Sequence, residues 1–316
     1  MRIGHARVIG RDGASAYLAV MSTRKNPKKP NSVWQPWRER NGRFSWFRTA
    51  VVVAVCLPGL ATAAQYYAGY FPVRPITEII HATGLWTIRL LMIALAVTPL
   101  RQAFRWPRLA AVRRVIGVAA FSYAVLHLTF YAADNMFNLG KVVSEIALRI
   151  YLTIGFAALL ILGALALTST DGALRRMGGA AWIRLHRWVY LAGVLATVHY
   201  FMQSKLAVGE PLVVAGLFVW MMAYRVVLWT AGTGRASGLP ALAGLGAFAA
   251  VATGLGEAAY YHFVVHAPFV RILQADFHWR SGIRPAWVVL GIMMAVVLAA
   301  AFRQWQRTRQ AVPASA

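Results

Sequence analysis

The sequence predicts an all-α membrane protein: a polytopic helical bundle with a six-span core and two extra C-terminal spans. Three observations carry that expectation. First, 59% of the 316 residues are hydrophobic and only 13% are charged, whereas soluble domains carry about 25% charged residues. Second, the apolar residues gather into runs near the length of about 20 residues that a spanning helix needs. Third, 33 Lys and Arg stand against 9 Asp and Glu, a formal charge of +24, and the basic residues are segregated along the chain. The hydrophobicity excludes a disordered chain. The low total charge argues against a nucleic-acid binder.

Eight runs qualify: Ala50–Gly69, Ile76–Leu100, Val115–Ala133, Ala147–Thr168, Trp182–Met202, Pro211–Trp229, Leu239–Val264 and Pro285–Phe302. The first begins too late and runs too long for the apolar stretch of a cleavable signal peptide. Basic residues in short loops face the cytoplasm. The loop after the second run holds Arg101, Arg105, Arg108, Arg113 and Arg114, and the loop after the fourth holds Arg175, Arg176, Arg184 and Arg187. Loops on the other side carry fewer, so both termini are expected in the cytoplasm. Residues 1–49 read as a basic, disordered cytoplasmic arm, 50–232 as the core and 233–316 as the extension. Met21 is an alternative start within the arm.

Cys56 is the one cysteine. A disulfide within the chain, a Cys-x-x-Cys-His haem attachment and metal sites built from several thiolates are thereby excluded. Candidate chemistry rests on histidine. His81, His127, His186 and His199 lie in or at the ends of runs, and an ionisable group inside a membrane is costly enough to suggest a function. His127 and His199 fall at similar depth, in the outer halves of the third and fifth spans. That placement suits a haem clamped by two histidines between helices. His186 and His199 are about 20 Å apart along one helix axis, so they cannot ligate one metal, and each could supply a ligand to a separate haem. Thirteen residues fall about 140° short of whole turns, so on an ideal helix these two do not share a face.

Four segments carry a resemblance. They are PVRPITEIIHATGLWTIRLLMIALAVTPL at 72–100, RRVIGVAAFSYAVLHLTFYA at 113–132, RIYLTIGFAALLILGALALTS at 149–169 and RRMGGAAWIRLHRWVYLAGVLATVHYFMQSK at 175–205. Together they resemble the MsrQ (YedZ) family of haem-binding membrane subunits, which have a ferric-reductase-like transmembrane domain related to that of NADPH oxidases. The resemblance spans roughly residues 50–230. It implies b-type haem, one or two, with FMN also associated. It implies electrons from the quinone pool or a cytosolic flavin reductase, passed to a periplasmic molybdopterin enzyme that reduces methionine sulfoxide in proteins. His127, His186 and His199 take the places of the haem-ligand histidines, and His81 matches a family histidine of less defined role. The oxidases carry an inner histidine on the third span where this chain has Arg113, so one haem on His127 and His199 is better supported than two. Other readings on the same scaffold are a ferric or cupric reductase or a superoxide-handling cytochrome. A transporter or assembly factor with structural histidines is a third.

Remaining candidates are read individually. Arg89, mid-span, is either paired within the bundle or a counter-charge for a haem propionate or quinone. Arg113 and Arg114 at the inner mouth satisfy topology and could also bind an FMN phosphate. The segment GTGRASG at 232–238 follows a membrane run rather than a strand, and reads as an inter-helix turn rather than a dinucleotide fingerprint. In the extension, His262 and His266 are four apart and would share a helical face. That spacing can hold a metal, with Asp276 and His278 nearby, although a polar helix end is the simpler reading.

Overall fold

A computed structural model describes residues 35–39, 42–278 and 282–311. The arm of residues 1–34 lies outside the described residues. The chain is helical: α1 Trp46–Tyr67, α2 Pro75–Ala103, a 3₁₀ turn Pro107–Ala111, α3 Arg113–Asp134, α4 Leu139–Leu148, α5 Ile150–Leu167, α6 Asp171–Met177, α7 Gly179–His186, α8 Val189–Ser204, α9 Gly209–Ala236, α10 Leu239–Val265, α11 Phe269–Ala275 and α12 Pro285–Ala311. Seven of these, α1, α2, α3, α5, α9, α10 and α12, are long and apolar enough to cross a membrane. The protein is an all-α, multi-pass membrane protein.

α2 forms the centre. Ile88, Leu90, Leu91, Met92, Ala94, Leu95 and Val97 are buried along it, and it packs against α3 and α9. α5 packs along α8, and α10 lies between α9 and α12. α1 is peripheral, with only Pro58 and Thr62 buried. Its exposed Val53, Leu57 and Leu60 present the apolar surface expected of a lipid-facing helix.

Two prolines, Pro58 and Pro99, sit inside spans, and side chains from other helices hydrogen-bond the backbone around them. Proline has no N–H, so it leaves the carbonyl four residues earlier without its helical donor. Lipid offers no substitute. Pro99 in α2 frees the Leu95 carbonyl. Arg225 on α9, only 3% exposed, donates Nη2–H to that oxygen at 2.8 Å. Its Nε–H donates to Tyr190 Oη at 3.1 Å, and its Nη1–H to Met221 O at 2.8 Å. Beside Pro58, the Tyr123 hydroxyl enters the ladder of α1. It accepts from Gly59 N at 2.7 Å and donates to Val55 O at 3.0 Å.

Two spans depart from the sequence reading. The run Trp182–Met202 is divided. α7 ends at His186, and Arg187 and Trp188 form a tight turn with three-residue hydrogen bonds, Trp188 N to Leu185 O at 3.0 Å and Tyr190 N to Arg187 O at 3.1 Å. The last span runs past Phe302 to Ala311. There Arg307 donates to Arg105 O at 2.7 Å and Arg303 stacks on Trp106 at 4.8 Å. These contacts fold the basic tail onto the α2–α3 linker. Gly232 breaks helical geometry with φ 78° and ψ 171°, so the GTGRASG segment is a helix break and turn.

Three elements of the extension meet at one guanidinium. Arg284 lies 2.9 Å from Glu257 Oε1 and 3.2 Å from Asp276 Oδ1. This clasps the start of α12 to α10 and to the end of α11.

Candidate functional site

His127 on α3 and His199 on α8 are held by the same device on two different helices. His127 donates Nδ1–H to the Ile80 carbonyl of α2 at 2.8 Å. One turn on, Gly84 faces the ring: a Cβ there would fall 2.9 Å from Nδ1 and Cε1. His199 donates Nδ1–H to the Tyr151 carbonyl of α5 at 2.8 Å. One turn on again, a Cβ on Gly155 would fall 2.7 Å from Nδ1. A carbonyl can only accept, so both rings carry the proton on Nδ1. Both Nε2 lone pairs remain available as ligands. A hydrogen bond from the far nitrogen also fixes ring orientation and raises ligand basicity. The two ring centroids are 6.3 Å apart, with planes at 84°.

The tight turn at Arg187–Trp188 separates His186 from the helix that carries His199. A 3₁₀ step advances about 120° per residue against about 100° in an α-helix, so these few steps close only part of the roughly 140° between the two histidines. His186 Nε2 lies 3.4 Å from Ser169 Oγ, just beyond α5. Its ring stacks on Trp182 at 3.7 Å, and Nδ1–H donates to Trp182 O at 3.0 Å. Unlike the other two, this histidine is satisfied by its own helix. His81 is exposed and follows Ile80 directly.

Arg89 meets Glu210 at the start of α9, with Nε 3.0 Å from Oε1, and lies 5.1 Å from the Trp86 ring centroid. Arg114 Nη2 pairs with Asp171 Oδ1 at 2.8 Å. Arg113 is exposed and has no ion-pair partner among the described residues.

Comparison with known proteins gives the family. The family of ferric reductase like transmembrane components matches residues 83–197. The chain is 40% identical over 191 residues to the protein-methionine-sulfoxide reductase heme-binding subunit MsrQ of Rhodospirillum rubrum, covering 60% of this chain and 89% of that protein. It is 39% identical over 178 residues to the same subunit of Caulobacter vibrioides, covering 56% and 85%. With that of Azospira oryzae it shares 33% over 187 residues, covering 58% and 80%. This chain belongs to the MsrQ family. No solved structure matches it.

The ferric-reductase-like match includes Gly84, His127, Gly155 and His186. His199 lies two residues beyond it, and α9 to α12 lie outside. Gly84, Gly155 and Glu210 escaped the sequence reading. The two glycines had a signal, since a lone glycine inside an apolar helical run is costly and suggests close packing. In the extension, α10 stops at Val265 and His266 turns left-handed at φ 56°, which ends the shared face with His262. His262 Nδ1–H donates to Ala267 O at 3.0 Å. Among the described residues no three metal-ligating side chains gather anywhere.

Proposed function

We propose that this MsrQ-family protein is a membrane electron-transfer subunit that holds one b-type haem between His127 and His199. The observation that carries the reading is the paired arrangement of these rings. Each has its proton fixed on Nδ1 and each is seated against a glycine. A metal–imidazole bond is about 2 Å, so two rings on opposite sides of one metal have centroids about 6 Å apart, close to the 6.3 Å found. Bound there, haem would supply a one-electron carrier in a low-dielectric interior. The residues' own work is to fix both tautomers, to orient both rings and to exclude lipid and water.

The wider role we propose goes beyond the relatives' description as heme-binding subunits of a protein-methionine-sulfoxide reductase, and rests on the resemblance of the sequence segments. Electrons enter from the quinone pool, or from a cytosolic flavin reductase. They leave to a periplasmic MsrP-type molybdopterin enzyme that repairs methionine sulfoxide in proteins. The basic loops set the orientation, with both termini inside a bacterial inner membrane. Of the two inner-mouth arginines, Arg113 is the one open to an FMN phosphate, because Arg114 is engaged by Asp171. His186 is the candidate for a second haem, and His81 borders the outer site. Arg89, neutralised by Glu210, serves the bundle more directly than a propionate or quinone.

Reduced-minus-oxidised spectra with haem quantification test the reading. The purified protein should show a haem b band and one haem per chain. His127→Ala and His199→Ala should each abolish most haem binding. Wild-type haem content in both variants would overturn the ligand assignment, and absence of a haem b band in the parent would overturn the redox reading.

A further inference from the structure

Lys205 ends α8 with φ 48° and ψ −107°, outside the wells that non-glycine residues ordinarily occupy. Such a conformation persists only where its surroundings hold it. Here two consecutive tyrosines of α10 do so. The Tyr260 hydroxyl donates to Lys205 O, and the Tyr261 hydroxyl donates to Leu206 O at 3.3 Å. The Tyr260 ring also leans on Phe201 at 5.9 Å, and Val208 is fully buried beneath the turn. The turn joins the two ends of the candidate site. Six residues before Lys205 is His199, and five after it is Glu210, which holds Arg89.

We propose that α10, outside the ferric-reductase-like match, braces this turn, and that Tyr260 and Tyr261 are positioning residues for the haem site. The proposal rests on the haem reading above. The turn sets where α8 stops, and α8 carries the His199 ring to the Tyr151 carbonyl. That hydrogen bond governs how basic the imidazole is as a ligand. The same turn sets where α9 starts, and with it how near the Arg89 charge is held to its Glu210 partner. Both quantities act on the reduction potential of a group bound at His199. Tyrosines that merely glued α10 to the core would affect the turn's stability and leave the potential alone.

The test uses the full chain with its haem, comparing wild type, Tyr260→Phe, Tyr261→Phe, the double variant and Phe263→Leu. The phenylalanines keep the ring contacts and lose only the hydroxyls. Phe263→Leu alters α10 one helical turn from Tyr260 and leaves both hydroxyl hydrogen bonds to the turn in place. The double variant is expected to bind haem at the wild-type level and to show altered g-values in the oxidised spectrum. Its reduced-to-oxidised ratio at fixed potential should change at least threefold, about 28 mV for a one-electron couple. Phe263→Leu should match wild type in both. Hydrogen exchange at residues 206–208 should rise in the double variant, a readout that stands even if its haem content falls. Wild-type potential and spectrum with full haem, or unchanged exchange at the turn, would overturn the brace. A wild type that binds no haem would instead overturn the haem reading beneath it.

Discussion

Gly155 lies directly against the His199 ring, so close that a Cβ would fall 2.7 Å from Nδ1 and 2.8 Å from Cε1. The imidazole therefore occupies the space a side chain on α5 would need. Gly155→Ala should push the ring away from the Tyr151 carbonyl. Removing this kind of support from a metal-ligating histidine typically weakens binding by about 10- to 100-fold. Gly84→Ala should act in the same way on His127. Gly117→Ala, on α3 with open space at its Cβ, should keep full haem and gain about 0.5–1 kcal/mol of helix stability. Haem per chain after purification checks all three.

Arg225 and Pro99 should be energetically coupled. Arg225→Leu leaves the Leu95 carbonyl buried without a donor, at a cost of about 1–3 kcal/mol. Pro99→Ala restores the backbone N–H that reaches this oxygen. In the Arg225→Leu background it should recover part of the loss, and a double-mutant cycle by thermal unfolding in detergent measures the coupling. Strict additivity would contradict the account.

Arg284 serves two buried carboxylates, Glu257 at 2% and Asp276 at 8% exposure. Breaking a buried pair by removing one partner costs about 3–5 kcal/mol, so Arg284→Leu should lower the unfolding temperature sharply. Adding Glu257→Gln and Asp276→Asn should restore much of it, because no uncompensated charge then remains. A variant no less stable than wild type would show that the clasp contributes little.

The proposed orientation can be read with one reactive thiol. In a Cys56→Ser background, a cysteine at Ser144 on α4 should react in intact cells with a membrane-impermeant maleimide. A cysteine at Ser237, between α9 and α10, should react only after lysis. The reverse pattern would invert the topology.

The membrane class, seven of the eight spans and the histidines worth testing were all legible in the sequence. Hydropathy, helical length and charge asymmetry are local properties, and a run such as Ile76–Leu100 declares itself without reference to any other segment. The division at Arg187–Trp188 was not legible, because both residues keep right-handed helical angles and nothing in their chemistry forbids a continuous helix. The partners were equally hidden. His127 meets a carbonyl 47 residues away, His199 one 48 residues away and Arg225 one 130 residues away. Backbone carbonyls look alike in a sequence. Helix packing alone decides which carbonyl a ring will find, and which glycine must stand aside for it. The sequence by itself determined that this chain crosses a membrane with histidines inside it. The tertiary structure decided that two of them, His127 and His199, stand as a pair with their ring planes nearly perpendicular.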